Sequence, residues 1–213
     1  MKQIGEDFFK YRYNVSCETL KKFKFFRDEL LLFQEKFNLI GRGTIENIWI
    51  RHFADSAELL RNLQGLKSKK ILDFGTGAGF PGLVIVLLSE NHRLNHKITL
   101  AESNVKKYNF LVHIKKKLDL RVDIYNKRVE DLYNENFDII TARAVAPLDR
   151  LLAYLEKFNL KNTHLIFPKG KTWEEEIKVI KNFWKFDEII VRNNHEIDSS
   201  GGVVVIIKNL IKI

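Results

Sequence analysis

The spacing of apolar positions changes once along the chain, and the change divides it. From Phe8 to Leu63 the period is helical: Leu20, Phe23, Phe26, Leu30, Phe33 and Phe37 recur every three or four residues and line one face of a helix. Ser16 and Thr19 are placed to open it. Asn38-Leu39-Ile40-Gly41-Arg42-Gly43 breaks the pattern, and a further helix is expected from about Ile45 to Leu63. The polar stretch Gln64-Gly65-Leu66-Lys67-Ser68-Lys69 marks a boundary. Beyond it, short apolar runs alternate with helical stretches. Strands are expected at Ile71–Phe74, Lys97–Ala101, Arg121–Asn126, Phe137–Ala142, Thr163–Phe167, Phe186–Arg192 and Gly202–Lys208. Helices are expected from Pro81, over Val105–Leu118, near Pro147 and over Trp173–Lys181. Such alternation predicts an α/β fold with a mostly parallel sheet covered on both faces. The last two strands have no helix between them, so an antiparallel pair is expected at one edge. The domain reading is an N-terminal helical segment, 1–66, packed on an α/β domain, 67–213.

The chain is organised around Ile71-Leu72-Asp73-Phe74-Gly75-Thr76-Gly77-Ala78-Gly79-Phe80-Pro81-Gly82. A buried strand enters a turn with glycines at alternate positions, which permits positive φ and lets a ligand lie on the backbone. The segment from Gly77 to Gly82 fits the dinucleotide pattern G-x-G-x-x-G. Read from Asp73, D-x-G-x-G-x-G resembles the first motif of the S-adenosylmethionine-dependent methyltransferases. An acid at the strand end, and a proline that delays the helix past a pyrophosphate's reach, favour the second reading. Glu102 ends the next strand, where a carboxylate accepts both ribose hydroxyls of an adenosine; that suits either cofactor.

Ligands in such sheets sit beyond the C-terminal ends of the strands. Asp73, Glu102, Arg128 with Glu130, Arg143 and Lys169 all fall there. Arg51 and Asp55, four residues apart, share a helix face around His52. A net charge of +9 points to a polyanionic partner. Part of it fits the compositional drift of a chain rich in Lys, Ile, Asn and Phe. The basic residues Lys21, Lys22, Lys24 and Arg27 read first as a solvated helix face. No apolar run reaches the ~20 residues of a membrane span, no signal-peptide core is present, and the single cysteine, Cys17, fits a reducing compartment. A cytoplasmic protein without a membrane anchor is expected.

The chemistry narrows by what is missing. The Asn/Asp-Pro-Pro-aromatic motif of adenine-amino methylases is absent; the corresponding stretch reads Thr141-Ala142-Arg143-Ala144-Val145-Ala146-Pro147. Cys17 is far from the sheet's active end in sequence, so a thiolate nucleophile is not expected. The six histidines show no metal-ligand spacing, and no metal is expected. An acceptor with a lone pair and no proton to lose, such as nitrogen 7 of guanine, fits that set.

Together, Asn38-Leu39, Arg51-His52 with Asp55-Ser56, the Asp73–Gly82 string, Arg128-Val129-Glu130, Ala142-Arg143-Ala144 and Lys169-Gly170 resemble the ribosomal RNA small-subunit methyltransferase G family over nearly the whole chain. The resemblance implies a class I S-adenosylmethionine-dependent methyltransferase fold, Rossmann-like, with a mostly parallel seven-stranded sheet and an antiparallel edge strand. It implies methylation of a guanine at nitrogen 7 in 16S rRNA. The expected partner is 16S rRNA or a small ribosomal subunit particle, and a monomer is expected. It implies cofactor contacts at Gly75, Phe80, Val129, Glu130 and Arg143. The residues themselves add Asp73, Gly77, Gly79 and Glu102 on the cofactor side. Arg143 and Lys169 are the expected catalytic pair, steadying the cofactor carboxylate, an RNA phosphate or the target base. Asp73 is expected to steady charge developing on the guanine ring. One departure is Ser199-Ser200-Gly201-Gly202 before the final strand, where many members carry a basic pair. An NAD(P)-dependent oxidoreductase and a non-catalytic RNA-binding or ribosome-assembly protein are the competing readings.

Overall fold

The computed structural model describes residues 2–61, 69–193 and 202–213. The chain opens with α1 (Lys2–Arg12) and α2 (Cys17–Gln34). The Ser16 hydroxyl accepts the Thr19 N–H at 3.1 Å and so satisfies a donor that a helix start leaves unpaired. The helix expected over 45–63 is less regular. A 3-10 turn at Arg42–Thr44 precedes it, Trp49–Ala54 is wound as a π-helix, and Asp55–Arg61 (α3) is α-helical. The stretch is too short for apolar period to separate i+4 from i+5 winding; π turns concentrate at functional sites. The expected boundary at 64–69 falls almost wholly outside the described residues.

The main sheet comprises β1 (Lys70–Phe74), β2 (Lys97–Ala101), β3 (Asp123–Tyr125), β4 (Ile139–Thr141), β5 (His164–Lys169), β7 (Glu188–Asn193) and β8 (Val203–Lys208). Two short strands, β6 (Trp184–Lys185) and β9 (Ile211–Lys212), pair separately. The order is β3-β2-β1-β4-β5-β8-β7. The first five strands run parallel. β8 lies antiparallel to β5, from His164 against Lys208 to Lys169 against Val203, and β7 antiparallel to β8. The antiparallel pair therefore stands at one edge, as expected, with β8 inside and β7 on the rim. Strand order reverses between β1 and β4, which makes the carboxyl ends of those strands the place for a ligand.

Helices cover both faces: α4 (Gly82–Asn91), α5 (Val105–Leu118), α6 (Leu148–Tyr154) and α7 (Trp173–Ile180). α6 and α7 share one core with Leu72, Phe74, Leu165 and Phe167. On the other face α4 and α5 share a core with the N-terminal helices. Aromatic rings make that junction: Phe23 meets Phe53 edge-on with centroids 5.5 Å apart, and Phe26 stacks on Phe80 at 5.3 Å. The N-terminal aromatic stripe is thus core packing. Basic residues of α2 pair with acids, Lys24 and Arg27 with Glu6 and Lys22 with Glu90, in keeping with a solvated face. Among the described residues no helix is long and apolar enough to cross a membrane, and no group of three or more His, Cys, Asp or Glu is placed to hold a metal.

Candidate active site

The turn after β1 sorts its glycines by what surrounds them. Gly75, Gly77 and Gly79 have φ of +61°, +60° and +95°, values that side chains disfavour. A Cβ on Gly75 would lie 2.6 Å from Val145 Cγ2, and one on Gly79 2.5 Å from Leu83 Cδ1. On Gly77 the nearest atoms are Gly75 O at 3.9 Å and Lys107 Nζ at 4.0 Å. The space a side chain would need thus differs among the three. Gly75 and Gly79 are small because neighbouring side chains occupy the space; Gly77 offers an open backbone face.

Beneath the turn lies Asp73, fully buried. Its Oδ2 accepts the Gly82 N–H at 2.8 Å, at the start of α4. Burial pushes its pKa up to about 7, against the opposing pull of the Thr76 hydroxyl, the Gly82 N–H and the Arg143 charge. A Cβ on Gly82 would fall 2.2 Å from Leu100 and 2.6 Å from that carboxylate. Asp73 thus shapes the turn from below, and its burial corrects the expectation that it steadies charge on a substrate ring. The same contact engages the Gly82 N–H at the start of α4 with an acid, where a dinucleotide's pyrophosphate would need donors.

Glu102 faces the turn from β2 and is buried. It accepts the Gly77 N–H at 2.9 Å on Oε2 and the Asn104 N–H at 2.8 Å on Oε1. Asn126 donates to the Glu102 carbonyl at 2.8 Å. Asn104 in turn caps α5, accepting the Lys106 and Lys107 N–H groups. Sequence reasoning passed over both asparagines. Asn104 carries a readable signal, an N-cap residue directly before a helical run; Asn126, which supports β2 from β3, carries none. Past β3, Val129 is buried in the 3-10 turn Val129–Leu132 and Glu130 is half-buried beside it. Phe80 is buried with its ring against Phe26, Phe53 and His52, so its side chain belongs to the core and only its main chain is available to a ligand.

At the end of β4 the backbone turns sharply: Ala144 has φ +55°, a left-handed value that costs a non-glycine residue roughly 1–2 kcal/mol. Strain of this kind is kept where the surroundings enforce it, often at a site. Beside it Arg143 reaches the N-terminal segment. Its Nη1 donates to Asp55 Oδ2 at 2.8 Å and to the Arg51 carbonyl at 3.1 Å, and its Nη2 to His52 Nδ1 at 2.7 Å. The guanidinium also lies 5.3 Å from the Phe80 ring centroid. His52 is itself bonded through Nε2 to Thr44 Oγ1 at 2.7 Å. Burial, then the Arg143 and Arg51 charges, lower its pKa to about 3.

Lys169 ends β5. Its ammonium is buried, 2.6 Å from Glu176 Oε2 and 3.1 Å from the Ala146 carbonyl. The same Glu176 oxygen accepts the Leu148 N–H at 2.8 Å and so ties α7 to α6. Arg143, His52, Asp55, Thr44, Lys169 and Gly170 line a cleft of about 320 Å³. Gly202, the one described residue of the departing Ser199–Gly202 stretch, lines it too; Ser199, Ser200 and Gly201 lie outside the described residues. A larger cavity of about 580 Å³ opens at the opposite end of the sheet, around Lys69, His96 and Lys97, and contains none of the expected site residues.

Solved structures with this architecture include a ribosomal protein L11 methylase from Lactobacillus delbrueckii subsp. bulgaricus, with a TM-score of 0.54 at 14% identity over 72% of this chain and 76% of that one. A TehB-like SAM-dependent methyltransferase from Corynebacterium glutamicum gives 0.51 at 13% identity over 73% and 87%. Those identities establish the fold alone. Sequence relatives go further. The protein named ribosomal RNA small subunit methyltransferase G in Ruegeria sp. strain TM1040 is 33% identical over 92% of this chain and 94% of its own. The protein of that name in Orientia tsutsugamushi strain Ikeda is 36% identical over 80% and 82%. The family model described as rRNA small subunit methyltransferase G matches residues 19–202. The family model spans most of the chain, the glycine turn and the strand ends included, and the chain belongs to the rRNA small subunit methyltransferase G family.

Proposed function

We propose that this chain transfers the methyl group of S-adenosylmethionine to nitrogen 7 of a guanine in 16S rRNA. The observation that carries the choice of acceptor is the state of the would-be bases among the described residues, Asp55 and His52 in the cleft and Glu176 behind Lys169. Asp55 is paired with Arg143, and Glu176 with Lys169. His52 is bonded at both ring nitrogens, and its pKa is lowered to about 3. A general base works with a free site for the proton and a pKa near the operating pH; ion pairs engage Asp55 and Glu176, and His52 meets neither condition. Nitrogen 7 of guanine attacks through a lone pair and loses no proton, so it fits a cleft whose described residues offer no such base.

The cofactor, when bound, supplies an electrophilic methyl on a sulfonium. Its place is supported by the open face of Gly77, next to the Glu102 carboxylate. That carboxylate accepts one N–H on each oxygen and retains lone pairs for ribose hydroxyls. Val129 and Glu130 stand past β3 for the adenine, and Gly75, Gly79 and the Phe80 main chain frame the turn. Arg143 stands between the turn and the cleft. Lys169, neutralised by Glu176, keeps the cleft mouth polar without placing a bare cation against a purine ring that becomes positive. The chain's own contribution is alignment and exclusion of water. A cytoplasmic monomer acting on RNA fits this reading.

The test is transfer of labelled methyl from S-adenosylmethionine to small-subunit RNA from cells lacking the modification, followed by mapping. Label at nitrogen 7 of one guanine is expected. Label on an exocyclic amine or a ribose, or none on RNA or particles, overturns the proposal.

A further inference from the structure

The structure assigns to His52 a positioning role: it fixes the Arg143 guanidinium between the cofactor turn and the acceptor cleft, through a hydrogen-bond chain that begins at the Gly41 turn. The inference rests on the methyl-transfer reading above for its kinetic arm and on geometry alone for its spectroscopic arm.

The chain has a single consistent direction. The Thr44 hydroxyl donates to the Gly41 carbonyl at 2.7 Å, so its oxygen is left to accept. Arginine only donates, so the 2.7 Å contact from Arg143 Nη2 makes His52 Nδ1 an acceptor. The proton of the neutral ring then sits on Nε2 and donates to Thr44 Oγ1 at 2.7 Å. Every bond requires the next. A proton on Nδ1 would face the guanidinium, and a second proton would add a cation beside Arg143 and Arg51. Asp55, on the other side of the guanidinium, supplies the compensating negative charge.

Three acceptors from one stretch of the N-terminal segment, the Arg51 carbonyl, His52 Nδ1 and Asp55 Oδ2, thus hold a side chain that belongs to the sheet. Arg143 has five N–H donors, and the three contacts leave it others for a ligand. The π-helix at Trp49–Ala54 and the left-handed backbone at Ala144 are the local irregularities on the two sides of this junction. They bring groups 88 and 91 residues apart in sequence into contact. A reacting group misplaced by about 1 Å costs on the order of 100-fold in rate, which is why a residue that touches no substrate atom matters here.

The test uses His52→Phe, His52→Asn and Thr44→Val in the full chain. Phe keeps the ring packed 4.9 Å from Phe80 but has no acceptor; Asn places a carbonyl oxygen where Nδ1 stood. His52→Phe is expected to lower kcat for methyl transfer by about tenfold or more, with unchanged thermal stability. His52→Asn is expected to recover most of that loss, and Thr44→Val to lose less than His52→Phe. Nitrogen-15 spectra of the histidine ring in the wild type are expected to show a neutral ring protonated on Nε2 from about pH 5 to pH 8. A His52→Phe enzyme with full kcat, or a ring protonated on Nδ1, overturns the inference. Should the wild type transfer no methyl to RNA, the proposed function fails, and the ring spectrum still decides the assignment.

Discussion

The two halves of the site are built differently. On the cofactor side, the turn after β1 is a main-chain device: positive-φ glycines, an acid beneath it at Asp73 and an acid beside it at Glu102, each bonded to backbone N–H groups. On the acceptor side, the cleft is a side-chain device, in which Arg143 and Lys169 are held by Asp55, His52 and Glu176. The first is set by a short stretch of sequence and the strand beside it. In the second, Lys169 is held from α7, and the Arg143 arrangement exists only once the N-terminal segment has docked. A backbone cradle therefore follows from local pattern, whereas the aim of a cation depends on partners far away in the chain.

The sharpest way to break the comparison is within the turn. Gly82→Ala is expected to cost roughly 1–3 kcal/mol of stability, because its Cβ has no room against Leu100 and Asp73 and such overpacking strains a core. Gly77→Ala meets open space, so it is expected to cost only the left-handed backbone, roughly 1–2 kcal/mol, while abolishing cofactor binding. Denaturant unfolding and calorimetry read the two quantities separately. A Gly77→Ala protein with unchanged cofactor affinity would show that the open face is not the cradle. Next in size, Glu102→Ala is expected to weaken cofactor binding by roughly 1–3 kcal/mol through lost charge-assisted hydrogen bonds.

Asp73 and His52 give the two halves opposite pH signatures. Asp73 holds its proton up to about pH 7 in the fold, against an ordinary value of 3.8. The native state binds the proton that the unfolded chain releases, so this contribution to stability is lost as pH rises through that interval. His52 stays neutral down to about pH 3, against an ordinary 6.5, so its contribution is lost as pH falls below the ordinary value. The slopes oppose each other in the wild type, so the variants are compared with it. Asp73→Asn is expected to gain stability relative to wild type between about pH 4 and pH 7, by at most about 1.4 kcal/mol per pH unit. An unchanged difference across that range would place the Asp73 pKa near its ordinary value. The smallest effect is expected for the Lys169–Glu176 pair. A double-mutant cycle with Lys169→Met and Glu176→Gln should give a coupling of about 1 kcal/mol in stability, and a coupling near zero would leave Lys169 free for a substrate.

Much of this fold is legible in sequence because each element carries its own signal. The switch from helical period to alternating strands, Ser16 as a cap and the Asp73–Gly82 string all lie within short windows. Strand ends come out shorter or shifted, as at Ile139–Thr141 within the expected Phe137–Ala142, because backbone pairing with neighbours sets them. What the sequence hides is which side of a residue is used. Phe80 stands in the cofactor motif, yet its ring serves the core. Asp73 stands at the strand end, yet points beneath the turn. Arg51 and Asp55 share a helix face, yet Asp55 also receives Arg143, a contact no local spacing announces.

The central claim is that the cleft positions a nucleophile and removes no proton from it. The most direct measurement is methylation of small-subunit RNA in which the target guanine is replaced by 7-deazaguanine, which keeps the ring's shape and Watson–Crick edge but lacks the nitrogen lone pair. The account predicts unchanged RNA binding, no methyl transfer to the replaced base, and full transfer to the guanine control. Methyl transfer to the deaza substrate at the control rate would contradict it.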